Sequence, residues 1–397
     1  MRPLIILLLA SVFFSCNFLS KEKPMNQVVD EALNFSAQQY LRMAEKYAGQ
    51  DSILPRTYQN GKMVTSDSRW WTSGFFPGSL WYLYENTKDE KLLGYAKKYT
   101  ARVEREKFTT NNHDVGFILN CSFGNGFRLT GDTSYIQVML TGAKSLATRY
   151  NPKVGLIRSW DSRKDVWQYP VIIDNMMNLE LLLWASGRSG DFSYTQMAVS
   201  HADKTMLNHY RPDFSCYHVV SYDTITGVPH KKQTHQGYSD ESSWSRGQSW
   251  GLYGYTMMCK ATREPRYLEQ AQKIANFLIN HPRMPQDFVP YWDYDAPGIP
   301  NEPRDASAAA IMASALIELS QLGDKDLGAK YLNVAEKQIR SLASPAYTAK
   351  LGENGDFILM HGVGSLPHKA EVDAPLTYGD YYYIEALIRY KKLIASR

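Results

Sequence analysis

Two kinds of helical pattern alternate along the chain. In the first, nearly every position is apolar or small, as in SAAAIMASALIEL (307–319), which is typical of a helix buried on all sides. In the second, apolar residues recur every three or four positions beside a charged face, as in YLEQAQKIANFL (267–278). The first pattern predicts helices at 75–86, 115–130, 175–187, 248–262, 306–322 and 380–394. The second predicts helices at 27–48, 89–106, 133–149, 192–210, 265–281 and 325–343.

Tight polar turns join each helix of the first set to the next helix of the second set. NTKDEKLLGYA (86–96) and SGRSGDFSYTQMA (186–198) are two of them, and their Gly and Asp residues end one helix and cap the next. Twelve helices in two alternating classes predict an all-α (α/α)6 barrel, with the apolar set as an inner ring. The length alone would suggest two or three domains, but the repeat favours one toroidal domain over 27–397. Strand-like patterns are confined to short pieces inside loops, such as 216–223.

The connections from outer to inner helices are much longer than these turns. All of them fall at the end of the barrel where the inner helices begin, and long loops carry function more often than short ones do. We therefore expect the functional site at that end. The long connections are 49–74, 107–114, 150–174, 211–247, 282–305 and 344–379.

Four inner helices begin at aspartates, which can serve either as N-caps or as catalytic acids. Asp114 and Asp174 begin consecutive inner helices, so they should face each other across part of the pocket. Two neighbouring carboxylates raise the pKa of one of them and keep it protonated near neutral pH. We favour catalysis for this pair and leave capping alone as the alternative. For Asp305 and Asp380 we expect N-capping.

The composition narrows the class of ligand. The chain of 397 residues has a net charge of +4 without a long basic run, so a charge patch for nucleic acid is not indicated. It contains 27 Tyr and 9 Trp, and several tryptophans and Arg246 stand beside the inner-helix starts. Aromatic rings beside carboxylates and amide donors suit a sugar site. No histidine–carboxylate spacing typical of a metal site is present.

The N-terminal segment MRPLIILLLASVFFSC predicts export from the cytoplasm. It carries one basic residue, an apolar run too short to span a membrane, and Cys16 at its end. We interpret 1–15 as a signal peptide, Cys16 as a lipidation site and 16–26 as a lipoprotein tether. The alternative is a plain signal peptide cleaved nearby. The protein is thus expected to be periplasmic, or anchored in the outer membrane of a bacterium, with the lipid as its one link to the membrane.

The remaining cysteines, Cys121, Cys216 and Cys259, are scattered. They form neither a disulfide framework nor a metal-binding pair, and we expect them to be small core residues.

Several segments resemble the unsaturated glucuronyl hydrolases, glycoside hydrolase family 88. These are NHDVGF (112–117), VIIDNMMNLELL (171–182), WWTSGFFPGSLWYLY (70–84), EVDAPLTYGDYYYIEAL (371–387) and, most specifically, THQGYSDESSWSRGQSWGLYGY (234–255). The resemblance covers about 27–394 and implies the same (α/α)6 barrel. It implies Asp174 as general acid/base with Asp114 assisting. It also implies contacts to the uronate from His218, Gln236 and Arg246, and sugar stacking on Trp71, Trp160, Trp244 and Trp250, with Trp167 as an alternative to Trp160.

The chemistry that the resemblance implies is hydration of an enol ether. Polysaccharide lyases leave a C4=C5 double bond on the terminal uronic acid of an oligosaccharide. A carboxylic acid would protonate C4 while water adds to C5, and the hemiketal would open and release the remaining sugar. Arg246 would hold the substrate carboxylate in a fork. No cofactor or metal is expected, and the partner is an anionic unsaturated oligosaccharide.

Three other functions remain open at this stage. An unsaturated galacturonyl hydrolase acting on rhamnogalacturonan fragments would share the fold and chemistry, although the 234–255 block argues against it. A sugar epimerase would be expected to use histidine pairs on the inner helices, which lack them. A non-catalytic glycan-binding lipoprotein would bind sugar without turnover.

The loop GVGSLPHKAEVD (362–373) is a candidate sulfate site. Ser365, His368 and Lys369 loosely resemble a serine- and lysine-containing stretch of family members that accept sulfated sugars. A hydroxyl, an imidazole and an ammonium together could hold a sulfate. The alternative is a solvated turn shaped by its Gly and Pro residues.

Overall fold

The structure, a computed structural model, describes residues 22–396. The predicted signal peptide 1–15 and Cys16 lie outside these residues, as does most of the tether. Within the described range no helix is both long and apolar enough to cross a lipid bilayer.

Helices dominate the described chain and match the predicted positions closely. Their bounds, in chain order, are α1 Met25–Tyr47, α2 Phe75–Thr87, α3 Glu90–Ala101, α4 Val115–Leu119, α5 Asn125–Thr130, α6 Ser134–Ala147, α7 Asn175–Ser189, α8 Ser193–His209, α9 Ser245–Thr262, α10 Pro265–Ile279, α11 Ala306–Leu319, α12 Lys325–Leu342 and α13 Thr377–Ala395.

The apolar helices form a closed inner ring. In this ring α2 packs against α5, α4 against α7, α7 against α9, α9 against α11, α11 against α13, and α13 returns to α2. Each also packs against an amphipathic helix outside it, as α9 does with α10 and α11 with α12. All but one residue of α11 are buried, whereas α10 buries one stripe that includes Tyr267, Ile274 and Leu278. The predicted (α/α)6 barrel is confirmed.

The second inner helix is interrupted, which the pattern did not predict. Between α4 and α5 the backbone forms a π-helical turn, Asn120–Gly124. The side-chain amide of Asn120 donates to Oε2 of Glu180 at 2.8 Å, so the widened turn aims a polar side chain at the neighbouring inner helix α7. Such single π-helical turns are common near functional sites.

Short strands lie in the long connections. They form four small antiparallel sheets, and β6 falls inside the predicted segment 216–223. Within 22–396 the strands are β1 Leu54–Gln59, β2 Lys62–Ser66, β3 Tyr150–Asn151, β4 Leu156–Ile157, β5 Pro170–Ile172, β6 Val219–Tyr222, β7 Pro229–Gln233, β8 Gly362–Ser365 and β9 Ala370–Ala374.

The two predicted capping aspartates differ in outcome. Asp305 caps α11, since its side chain accepts from the backbone N–H of Ser307. The prediction for Asp380 is wrong, because α13 begins earlier, at Thr377. The buried Asp380 carboxylate instead accepts from the N–H groups of Ile358 and Leu359 at 2.9 Å each, and so holds a loop rather than its own helix.

The three cysteines after the leader are free and buried, as predicted.

Candidate active site

Asp114 and Asp174 stand at the starts of α4 and α7, at the end of the barrel that carries the long connections. Neither side chain accepts a hydrogen bond from the first turn of its helix. Their side chains are 18% and 11% exposed. Capping therefore does not explain these carboxylates, and the alternative that treated them as N-caps alone is wrong.

Gly116 allows the two helix starts to lie close together. A Cβ at this position would stand 2.6 Å from Cα of Asn178 on α7, closer than non-bonded atoms approach. The side-chain oxygen of Asn178 accepts from the N–H of Phe117 at 2.7 Å. The glycine in NHDVGF thus permits a close contact between α4 and α7 one turn below the two carboxylates.

Burial raises the pKa of both carboxyl groups. The pKa of Asp114 rises to about 8, first because of desolvation and then because of the negative charge of Asp174. Desolvation raises the pKa of Asp174 to about 7, and the positive charge of Arg246 offsets part of this effect. Both groups can therefore be protonated near neutral pH, as a general acid requires.

His218 lies beside Asp174 in a fixed tautomer. Its Nδ1 accepts from the backbone N–H groups of His235 and Gln236 at 3.2 Å each. Burial also lowers the pKa of His218 well below its usual value, so the ring is neutral and its proton is on Nε2.

Nε2 of His218 stands 3.7 Å from Oδ2 of Asp174, which is too long for a hydrogen bond. Both atoms are buried, and neither has a hydrogen-bond partner within 22–396. Buried polar atoms are rarely left unpaired. The structure thus brings a donor and an acceptor together where a polar ligand would satisfy both.

Two histidines of the site were not among the predicted residues. His113 places Nε2 3.4 Å from Oδ1 of Asp114, and burial lowers its pKa to about 3. His235 packs its ring against His368 at 4.5 Å and near Trp160 at 5.7 Å. In the sequence only their positions pointed to them, because His113 directly precedes Asp114 and His235 directly precedes Gln236.

Arg246 corrects a prediction. Its side chain is 1% exposed. Nη1 donates to Oδ2 of Asp305 at 3.1 Å and to the carbonyl of Val363, and Nη2 donates to the carbonyl of Gly364 at 2.6 Å. Both terminal nitrogens are thus engaged by the protein itself, whereas Nε is buried without a hydrogen-bond partner within 22–396. The prediction that Arg246 forks the substrate carboxylate is not supported by these contacts.

Two of the four predicted stacking tryptophans are covered by protein. Trp250 is fully buried against the rings of Phe117 and Tyr382. Trp244 is 2% exposed, with His218 at 4.5 Å and the guanidinium of Arg246 at 4.5 Å from its ring. The prediction that these two rings stack on sugars is wrong, and they form the wall behind the site.

Trp71 and Trp160 are partly exposed and remain candidates for stacking. Trp160 is the better choice over its neighbour Trp167, which is 4% exposed. Nε1 of Trp160 is also buried without a hydrogen-bond partner within the described chain. A β-bridge joins Trp160 to Asn112, close to Asp114.

The candidate sulfate loop is a hairpin of β8 and β9, called here the rim hairpin (362–374). The amide nitrogen of Gln236 donates to the carbonyl of Gly364 at 3.0 Å, which places the hairpin against the site. The Ser365 hydroxyl lies 2.7 Å from Nδ1 of His368. His368 and Lys369 are exposed. The three predicted residues are thus neighbours on one turn at the rim.

No group of three or more His, Cys, Asp or Glu side chains in residues 22–396 could hold a metal ion.

Comparisons with known proteins agree on one family. The model of Glycosyl Hydrolase Family 88 matches residues 48–392. An unsaturated glucuronyl hydrolase of Formosa agariphila is 48% identical over 328 residues, covering 82% of this chain and 81% of that protein. An unsaturated chondroitin disaccharide hydrolase of Streptococcus agalactiae is 35% identical, covering 92% of each. The crystal structure of an unsaturated glucuronyl hydrolase specific for heparin is 46% identical, with a TM-score of 0.90 over 93% of this chain and 98% of that one.

Proposed function

The chain belongs to glycoside hydrolase family 88, and from that premise we propose that it removes the unsaturated uronic acid from the non-reducing end of lyase-generated oligosaccharides. The substrates are fragments of glycosaminoglycans, a class supported by relatives named for heparin and for chondroitin disaccharides. The observation that carries the proposal is the pair of buried carboxyl groups, Asp114 and Asp174, with raised pKa values beside the N–H of His218.

Asp174 acts as the general acid and base. Its carboxyl proton goes to C4 of the enol ether, and the double-bond electrons form the new C–H bond. The oxygen of a water molecule bonds to C5, and one proton of that water passes to the Asp174 carboxylate, while the other stays in the new hydroxyl group. The hemiketal at C5 then opens and releases the shortened sugar. No nucleophile attacks the anomeric carbon, so the carboxylate spacing that distinguishes retaining from inverting glycosidases does not apply.

Asp114 supports this step by fixing the substrate and by tuning the proton on Asp174, and the negative charge of Asp174 in turn raises the pKa of Asp114. Because each carboxylate disfavours ionisation of the other, the pair carries one negative charge more readily than two. The unpaired Nε2–H of His218 and Nε1–H of Trp160 are the donors for substrate oxygens. These groups take the place that the sequence had assigned to Arg246.

The test of the proposal is a panel of unsaturated disaccharides. Purified protein is given chondroitin-type, heparin-type and rhamnogalacturonan-type disaccharides, and the loss of the ultraviolet absorbance of the enol ether is followed. We expect turnover of the glucuronyl substrates. Turnover of the rhamnogalacturonan substrate alone would identify a galacturonyl hydrolase, and binding without any turnover would identify a glycan-binding protein.

The rim hairpin extends the proposal to sulfated substrates. Ser365 lies at the buried end of β8 beside the exposed His368 and Lys369. The three residues are close enough to supply a hydroxyl, an imidazole and an ammonium to one sulfate. Charge-assisted contacts are worth roughly 1.5–3 kcal/mol. Replacing Ser365 and Lys369 together by Ala should therefore lower kcat/KM on a sulfated disaccharide by about 10–100-fold. An equal loss on the matched unsulfated disaccharide, or no loss on either, would refute the sulfate site.

The location of the enzyme belongs to the proposal as well. The leader and Cys16 support export and lipidation, which would place the barrel in the periplasm or on the outer membrane of a bacterium. Lyases that generate the substrate would then work in the same compartment or outside it.

A further inference from the structure

Trp70 presents a bare aromatic face on the rim of the barrel. It is 38% exposed, whereas Thr72 and Ser73, which follow shortly in the chain, are nearly fully buried. The guanidinium carbon of Arg56 lies 4.0 Å from the centre of its ring. No aromatic ring of the described residues packs against Trp70. One face of the indole is therefore covered by a cation, while part of the ring remains accessible to solvent.

Two separate sets of contacts place Trp70 beside the mouth of the site. On one side, Nε of Arg56 pairs with Oε1 of Glu371 on the rim hairpin at 2.5 Å. On the other side, the neighbouring Trp71 packs its ring on Tyr378 at 4.9 Å, and Tyr378 packs on the guanidinium of Arg246 at 5.2 Å.

The Glu371 side chain in turn lies directly against Gly364. A Cβ on that glycine would stand 2.5 Å from Oε2 of the glutamate. The Gly364 carbonyl accepts from both Gln236 and Arg246. Both sets of contacts thus lead to Arg246, the first through Glu371 and Gly364 and the second through Tyr378. Trp70 lies on the rim between them.

We propose that Trp70 is a sugar-binding subsite for oligosaccharides longer than a disaccharide. The unsaturated sugar reacts at Asp174, the second sugar passes the rim, and a third sugar stacks one face on the indole of Trp70. Pyranose rings carry C–H groups on one face, and these pack favourably on flat aromatic rings. This inference rests on the proposed function and adds to it a residue that binds the third sugar of the longer substrates.

The contact with Arg56 makes Trp70 better suited to bind a sugar than an exposed aromatic residue elsewhere on the surface. Arg56 is fixed by Glu371, since their side chains are only 21% and 11% exposed. A cation held over one face limits the rotation of the indole, so less conformational entropy is lost when a sugar binds to the other face. Phe192, which is 73% exposed at the opposite end of the barrel, has no cation–π partner within the described chain.

The experiment compares two substrates that share the same unsaturated end, a disaccharide and a tetrasaccharide. Trp70→Ala should lower kcat/KM on the tetrasaccharide by about tenfold, because stacking of one sugar face removes about 50 Å² of apolar surface from water. The disaccharide does not reach Trp70, so its kcat/KM should change less than about twofold. Trp70→Phe keeps a flat ring and should retain part of the effect. Phe192→Ala is the matched control and should change neither substrate.

Loss on both substrates equally, or no loss on the tetrasaccharide, would overturn the subsite. The same measurements separate this failure from failure of the proposed function, which would appear as absence of disaccharide turnover in the unmodified enzyme. Calorimetric titration of the tetrasaccharide into Asp174→Asn, with and without Trp70→Ala, measures the contact without turnover. Equal affinity of these two variants would also refute the subsite.

Discussion

Replacing Arg246 by Met distinguishes an internal ion pair from a substrate-binding group. The arginine side chain is 1% exposed and its partner Asp305 is fully buried, with Nη1 and Oδ2 3.1 Å apart. Methionine fills a similar volume but leaves the aspartate without its countercharge. It also removes the Arg246 donor from the carbonyl of Val363 and leaves the carbonyl of Gly364 with the amide of Gln236.

The expected cost can be worked from this geometry. Two unit charges 3.1 Å apart attract each other by about 5 kcal/mol at an effective dielectric constant of 20. Part of that attraction offsets the desolvation of both groups, but removal of one partner leaves the other charge buried and alone. Such truncations cost about 3–5 kcal/mol. We therefore expect Arg246→Met to lower the free energy of unfolding by about this amount, a large share of the 5–15 kcal/mol typical of folded proteins.

The assay is urea unfolding followed by tryptophan fluorescence, with kcat and KM measured on the same preparations. Arg266→Met is a control for an exposed pair, because Arg266 lies 2.9 Å from Asp203 and the two side chains are 42% and 43% exposed; it should cost less than about 1 kcal/mol. Adding Asp305→Asn to Arg246→Met should recover part of the loss, since the buried charge is then removed. If Arg246→Met left the unfolding free energy within 1 kcal/mol of the wild type (about the error of the method) while KM rose strongly, the arginine would be a substrate ligand and our correction would be wrong.

Three further outcomes are expected. Asp174→Asn should lower kcat by about 10²–10⁴-fold with an unchanged circular dichroism spectrum; a nearly normal kcat would remove the residue from the mechanism. Asp114→Asn should raise stability at alkaline pH, because burial lifts the Asp114 pKa to about 8 from an unfolded value of about 3.9. The wild type thus loses stability relative to the variant as pH rises between these values, so urea unfolding curves should coincide near pH 4 and separate by pH 8; a constant offset would contradict this. Cys16→Ser should release the protein from the membrane fraction of its host, and unchanged fractionation would exclude lipid on that cysteine.

The helices were predictable because the buried face of a helix appears in the sequence as a regular spacing of apolar residues. SAAAIMASALIEL predicts a helix buried all round, and α11 is one. Asp114 and Asp174 were predictable because a polar residue at the start of an apolar helix must lie on the rim. These inferences need only local sequence and the geometry of a repeat.

Contacts between distant segments explain most of what was missed. Arg246 pairs with Asp305, 59 positions away, and with carbonyls of the rim hairpin more than a hundred positions away. No local pattern records such a pairing. Trp250 illustrates a related limit, since an aromatic residue near a helix start can point into the pocket or into the core. Asp380 was misjudged for a simpler reason, a helix that begins three residues before the aspartate.

The direction of α1 determines which way an anchored enzyme would face. This helix has 23 residues, so it is about 35 Å long, and it ends at the connection that leads to the mouth of the site. Its first residue, Met25, therefore lies at the opposite end of the barrel, within the last residues of the predicted tether 16–26. A lipid on Cys16 would hold the barrel by the end opposite the site and turn the mouth away from the membrane. Oligosaccharides would then reach Asp174 from the solvent rather than along the lipid surface. Oligosaccharides too long to fit between the barrel and the bilayer could still be hydrolysed.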